Sequence, residues 1–374
     1  MSDSFIRLNT SHRTATLKSW NDSIKIENIE IGHGTRPFIV AELSGNHNGE
    51  FDRAIRLADA AIDAGADAVK LQTYTPDTMT IKCEAPPFKI QKGPWAGRNL
   101  YELYEWAYTP WEWHRPLFEH VRNRGSCCFS TPFDLTSLEL LEDLECPIYK
   151  IASFEIVDLE LIKAVASTGK PMVISTGMSS YDEIADALQA AQIGGCQSLI
   201  LLHCVSGYPT PVEEVNVQAM RRLSSEFKLP VGLSDHTLGT LVPTIATSMG
   251  ACFIEKHVTL RREDGGPDAA FSLEPDELSE MVQSVRKTWL ASGSQADGPR
   301  PSCEKESRIF RRSLFVVEDV KAGDVLTSDM VRCIRPGDGL APKHMDQVIG
   351  RKAARSIDRG TPVSWDLLED GDPS

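Results

Sequence analysis

Along this chain, polar side chains recur at the ends of short apolar runs, and their types suit two kinds of chemistry. Lys70 lies in DAVKLQ and Lys150 in PIYKI, while Thr131, Ser153, Ser175 and Ser234 stand at or just beyond the ends of such runs. Two ammonium groups among hydroxyls match a ligand that carries a phosphate and a carboxylate together. The structural alternative is that one or both lysines pair with Glu42 or Glu155. His236 follows GLSD and His257 closes CFIEKH. Imidazoles at corresponding run ends can hold a borderline divalent ion and leave positions open for water and a substrate oxygen. Glu42 and Glu155 are candidates for proton transfer, since carboxylates in a closing pocket acquire raised pKa values. Asp268, in the turn GGPD, is expected near the metal, with an ordinary turn aspartate as the structural alternative. His203, ending SLILLHC, reads as structural.

What must position these residues is a repeated unit. Eight β-rich runs appear: PFIVAEL (37–43), DAVKLQ (67–72), SCCFS (126–130), PIYKI (147–151), PMVIS (171–175), SLILLHC (198–204), PVGLS (230–234) and CFIEKH (252–257). Helix-patterned segments such as FDRAIRLADAAIDAGA and YDEIADALQAAQ separate them. Eight βα units in about 250 residues predict an α/β TIM barrel, a (β/α)8 barrel whose active site lies at the C-terminal strand ends. A doubly wound open sheet is disfavoured because no G-x-G-x-x-G follows the first run.

The expected organisation is an extension with a hairpin over residues 1–35, a barrel over 36–291, a linker over 292–309 and a small β-rich domain over 310–374. The linker is rich in Ser, Gly, Pro and charge. Beyond it, Val320-x-x-Gly323-x-x-Leu326-x-x-Asp329 recurs as Ile357-x-x-Gly360-x-x-Val363-x-x-Asp366. SIKIENIEIGHG reads as a hairpin able to plug the barrel bottom. The aromatic stretch 93–114 reads either as a lid or as a helix packed on its neighbour.

A formal charge of −14 argues against a general nucleic-acid or anionic-membrane binder, which needs a basic face. No apolar run is long enough for a membrane span or a signal segment, so a cytoplasmic protein is expected. The nine cysteines show no C-x-x-C spacing and read as reduced, buried small residues.

At FIVAELSGNHNG, LQTYTPDTMT, STPFD, YKIASFE, STGM, YPTP, GLSDHT, EKHVTL, FRRSLFVVEDVKAG and IRPGDGLAPK the chain resembles the sialic acid synthase family, the nonulosonic acid synthases. The resemblance spans nearly the whole sequence. It implies a TIM barrel followed by a small antifreeze-like (SAF) domain, and the condensation of phosphoenolpyruvate with an acylated amino-sugar aldehyde. It further implies that Lys70, Thr131, Lys150, Ser153, Ser175 and Ser234 bind phosphoenolpyruvate. His236 and His257 would then hold manganese, in a site that magnesium or cobalt could also fill. Glu42, Glu155, Tyr208 and Asp268 would surround the sugar and the reacting atoms. Arg335 would come from the partner subunit of a domain-swapped homodimer to touch the sugar's acyl-amino group. Ser206 replaces an asparagine of the N-acetylneuraminate branch, and residues 83–100 lack that branch's asparagine contact. Both departures favour a deoxy, bis-acylated acceptor, with legionaminic acid and N-acetylneuraminate synthesis as alternatives. A Schiff-base aldolase and a non-catalytic carbohydrate- or ice-binding protein are the remaining rivals.

Overall fold

Each of the eight apolar runs becomes a strand, and the strands close on themselves. The computed structural model describes residues 5–9, 14–293 and 301–369. The chain divides into two units, Met1–Gly293 and Ser294–Ser374. Two antiparallel hairpins open the first unit: β1 (Phe5–Asn9) with β2 (Thr14–Lys18), and β3 (Ser23–Ile26) with β4 (Ile29–Gly32). The second hairpin coincides with the expected one and buries Ile24, Ile26 and Ile31 in the same apolar cluster as the barrel.

The barrel strands are β5 (Phe38–Glu42), β6 (Ala68–Thr73), β7 (Cys127–Pro132), β8 (Tyr149–Ile151), β9 (Met172–Ser175), β10 (Leu199–Cys204), β11 (Val231–Asp235) and β12 (Phe253–His257). They pair in parallel and in chain order, and β12 returns to β5 to close the ring. Almost every strand residue is buried, as expected for a parallel sheet covered on both faces. Register fixes the rim: His257 lies opposite Glu42, Glu42 opposite Lys70, and Ser234 opposite Glu255.

The surrounding helices form from amphipathic spacing and local caps. In α1 (Phe51–Asp63) the buried Ala54, Leu57, Ala58 and Ala61 follow a helical stripe against the sheet. Three helices, α2 (Pro76–Met79), α3 (Leu100–Ala107) and α4 (Trp111–Asn123), lie between β6 and β7. In α5 (Leu135–Asp143), Asp134 caps the first turn by accepting from the Ser137 amide at 2.9 Å. The ring continues with α6 (Leu159–Ser167), α7 (Tyr181–Ile193), α8 (Ala219–Phe227), α9 (Leu241–Ser248) and α10 (Pro275–Ser292). Since α4 packs on the barrel as the helix of the second βα unit, residues 74–110 are an excursion at the C-terminal rim. The foot of this excursion is fastened by buried His114, whose Nε2 lies 2.8 Å from Thr73 Oγ1.

The second unit has its own core, including Leu314, Val316, Val320, Leu326, Ile357 and Val363. β13 (Ser313–Val316) pairs antiparallel with β14 (Val331–Ile334). The sequence repeat folds against itself: Val320 and Ile357 exchange backbone hydrogen bonds of 2.9 and 2.8 Å. Of the stretch read as a linker, residues 294–300 lie outside the described residues, and Glu306–Phe310 forms a 3-10 helix. No helix among the described residues is long and apolar enough to cross a membrane.

Candidate active site

The C-terminal rim of the barrel encloses a cavity of about 970 Å³, counting the space open to solvent at its mouth. Lys70, Thr131, Lys150, Ser153, Glu155, Ser175, Tyr208, Ser234, His236, His257 and Asp268 all line it. Seven of the eight barrel strands, all but β5, thus deliver residues to one space.

At the floor, the lysines are joined by a carboxylate that the sequence reading left without a role. Glu255 Oε1 lies 3.3 Å from Lys150 Nζ and accepts from Ser234 Oγ at 3.1 Å. Glu255 Oε2 is 3.7 Å from Lys70 Nζ. Lys70 also forms a close ion pair with Glu42 and donates to Thr131 Oγ1 at 3.2 Å. Burial acts to raise Glu255, but the Lys150 and Lys70 ammoniums outweigh it and hold this carboxyl below its ordinary value. Lys70 is lowered by burial and then raised above its usual range by Glu255 and Glu42. The floor therefore carries two lysines and two carboxyl groups, all buried, and burial raises Glu42 although Lys70 beside it acts to lower it. Strand alternation was the signal that could have found Glu255: with His257 two residues on, it shares the inward face of β12. Lys256, between them, pairs with Asp235 at 2.5 Å away from the cavity.

Glu42 is not among the residues lining the cavity; it pairs with Lys70, the structural alternative raised for it from sequence, with Oε1 accepting from the Ser44 amide at 2.9 Å. Register is the reason, because Glu42 stands directly beside Lys70 on adjacent strands. Glu155 and Asp268 do face the cavity. Burial raises Glu155 to about 7 and Asp268 to about 6. Of the hydroxyls, Ser153 Oγ lies 2.9 Å from Ser206 Oγ, and the buried Ser175 Oγ has no hydrogen-bond partner.

The imidazoles of His236 and His257 stand with ring centroids 5.3 Å apart. His236 Nδ1 lies 3.0 Å from the Val205 carbonyl, the backbone contact that fixes a ligating ring and leaves Nε2 available. Burial lowers His236 to about 4 and His257 well below its ordinary value, so both rings are neutral, the form that binds metal. His257 Nδ1 is buried without a hydrogen-bond partner and lies 3.7 Å from the Asp268 carboxylate. Among the described residues no three His, Cys, Asp or Glu side chains form a closed metal cage. Two neutral imidazoles on a polar cavity fit an open divalent site with room for substrate oxygen. His203 is turned away, with Nε2 2.7 Å from the Val215 carbonyl.

Loops complete the mouth. The Asp268 loop is held by the loop after β5: Asn48 Nδ2 donates to the Gly265 carbonyl at 3.2 Å, and Arg53 pairs with Asp264 at 2.7 Å. Gly266, at φ +133°, passes so close that a Cβ would stand 2.6 Å from Asn48 Oδ1. Tyr208 packs on His236 with centroids 4.6 Å apart and on Phe271 at 5.2 Å. From the β6 excursion, Trp95, Leu103, Tyr104 and Ala107 reach the cavity. Arg335 lies in the second unit, exposed, with its guanidinium over the Phe310 ring at 5.9 Å.

A closed parallel barrel whose C-terminal mouth gathers two buried lysines and two neutral imidazoles in one cavity defines the class of protein: a (β/α)8 barrel with a polar, ion-paired site. The particular family follows from comparison with known proteins. Residues 57–297 match the NeuB family and residues 311–369 a SAF domain. The chain is 44% identical over 333 residues to the pseudaminic acid synthase of Helicobacter pylori, covering 89% of this chain and 98% of that one. It is 40% identical to the pseudaminic acid synthase of Campylobacter jejuni serotype O:23/36, covering 90% and 96%. The crystal structure of N-acetylneuraminic acid synthetase from Leptospira borgpetersenii, in complex with citrate, superposes with a TM-score of 0.69 at 32% identity, covering 77% of this chain and 96% of that one. The chain belongs to the NeuB family.

Proposed function

We propose that the chain condenses phosphoenolpyruvate with 2,4-diacetamido-2,4,6-trideoxy-β-L-altropyranose and water, giving a nonulosonic 2-keto acid and phosphate, as its relatives named pseudaminic acid synthases would. The observation that carries this reading is the single cavity holding Lys70, Lys150, Glu255, His236 and His257. Similarity to the Helicobacter and Campylobacter synthases supports the choice of acceptor.

Lys70 and Lys150 bind the phosphate and carboxylate of phosphoenolpyruvate, with Thr131, Ser153, Ser175 and Ser234 donating around them. Glu255, between both lysines, and Glu42, on Lys70, keep the ammonium groups in place until the anion arrives. His236 and His257 would hold a divalent metal, manganese in this reading, which would supply Lewis acidity for the open-chain sugar aldehyde. The cavity walls bring the enol methylene within roughly 3–3.5 Å of the aldehyde carbon. The enol electron pair forms the new carbon–carbon bond, and the aldehyde oxygen takes up a proton. Water adds at the former enol carbon and loses one proton; the resulting hydroxyl gives up the second as it collapses to the ketone and phosphate leaves with its bridging oxygen. Glu155 and Asp268, with raised pKa values, are the groups that accept and return these protons. A homodimer in which Arg335 of the partner subunit completes the acceptor site is part of the same reading.

The test is phosphate release from purified protein given phosphoenolpyruvate, manganese and one of three sugars: the bis-acetamido altrose, its legionaminic-type isomer, or N-acetylmannosamine. The altrose should turn over best. Preference for N-acetylmannosamine would overturn the choice of acceptor, and a borohydride-trapped pyruvate adduct on Lys150 would favour an imine aldolase instead.

A further inference from the structure

The cavity changes character from floor to mouth. Its floor is ionic, whereas Met79, Trp95, Leu103, Phe133, Phe154 and Pro267, from the segments beyond the strands, give the wall an apolar stretch beside Glu155, Tyr208 and Asp268. An acceptor seated above the phosphoenolpyruvate site presents its far end to this collar. Hydroxyls there would lose water without gaining partners, while methyl groups would be favoured.

Trp95 is the collar residue whose position is most fully fixed. Its Nε1 donates to the Pro267 carbonyl at 2.7 Å, across to the loop that carries Asp268. Its ring lies 5.4 Å from that of Tyr208, whose ring in turn lies tilted against His236 at 4.6 Å. A continuous aromatic contact thus runs from the rim to an imidazole at the reacting end. The indole remains only partly buried and faces the cavity, so it offers a rigid apolar surface at a set distance from the chemistry.

We infer that Trp95 determines acceptor specificity: its indole face packs against the N-acyl and deoxy portion of the sugar and disfavours acceptors with hydroxyls in that place. This inference rests on the condensation proposed above. It assigns Trp95 to binding the acceptor and gives it no part in binding phosphoenolpyruvate.

Steady-state rates of the full chain with manganese and phosphoenolpyruvate, for the bis-acetamido altrose and for N-acetylmannosamine, test it in the wild type, Trp95→Gln and Trp95→Phe. Glutamine keeps an N–H able to reach Pro267 but removes the apolar face; phenylalanine does the reverse. Trp95→Gln should raise KM for the altrose by about tenfold or more and shrink the preference over N-acetylmannosamine by a similar factor. KM for phosphoenolpyruvate should stay within about twofold, and Trp95→Phe should keep most of the preference. An unchanged preference in Trp95→Gln, an equal loss in both variants, or a parallel rise in KM for phosphoenolpyruvate would overturn the inference. Melting curves accompany each variant. If Trp95→Gln does not fold, Trp95→Ala replaces it under the same expectations, and failure of both to fold assigns Trp95 a supporting role and overturns the inference. Absence of phosphate release by the wild type with the altrose would instead strike the proposed function.

Discussion

Glu255 stands 3.3 Å from the Lys150 ammonium, at the end of the strand that also carries His257, and so ties the anion-binding floor to the imidazole pair. Its other oxygen turns toward Lys70, and its neighbour Ser234 donates to it. The floor thus sets two carboxyl groups against two lysines before any ligand arrives. A doubly anionic ligand therefore enters by drawing the lysines from the carboxyl groups that already hold them.

Replacing this carboxylate should expose that balance. Glu255→Gln leaves Lys150 buried without its anionic partner, a loss of about 3–5 kcal/mol in comparable buried pairs. The melting temperature should fall, and phosphoenolpyruvate should raise it more in the variant than in the wild type, because the ligand restores the missing negative charge. Equal melting temperatures and equal ligand stabilisation would show that Glu255 does not balance the lysines.

The pH dependence should report Glu155. Its carboxyl moves from an ordinary 4.5 to about 7 because burial penalises the charged form. The stability linked to its protonated state is fully present below about 4.5 and is lost as pH rises through about 7. Wild-type melting should accordingly fall relative to Glu155→Gln across that window. If Glu155 handles a proton, the kcat profile of the wild type has a limb near 7 that Glu155→Gln lacks. Identical profiles would remove Glu155 from the chemistry.

Backbone geometry offers a separate handle on Asp268. Gly266→Ala places a Cβ against Asn48 in a conformation, φ +133°, that L residues avoid. Two residues further on, Asp268 should be displaced, giving a loss of about 1–3 kcal/mol in stability and a reduced kcat. An active, equally stable variant would mean that this turn does not position Asp268.

Much of this arrangement was legible in the sequence. The run PFIVAEL brackets Phe38–Glu42 and CFIEKH brackets Phe253–His257, because continuous apolar β-rich runs between amphipathic stretches have few other ways to be buried. The strand-end rule accounts for nine of the expected residues that line one cavity, while Asp268 came from a turn and Tyr208 from family resemblance. Glu42 and Glu255 exchanged importance, since their partners depend on cross-strand register and on the barrel's interior, neither of which is local in sequence. Trp95 meets Pro267 across 172 residues, a contact no periodicity announces. The exposed Arg335 resembles any surface arginine, so its expected role came from family resemblance alone.

Metal removal tests the imidazole pair. Dialysis against a chelator should abolish phosphate release, and manganese should restore it. His236→Ala and His257→Ala should each lower manganese retained after gel filtration by at least about tenfold, read by paramagnetic resonance. Full activity after chelation, with no manganese uptake, would contradict a metal on these residues.

The most direct measurement is mass spectrometry of both products after turnover of phosphoenolpyruvate labelled with heavy oxygen at the bridging position, with the bis-acetamido altrose and manganese. The account predicts a nonulosonic acid of the full condensation mass together with phosphate that carries the label. No condensation product, or unlabelled phosphate, would contradict it.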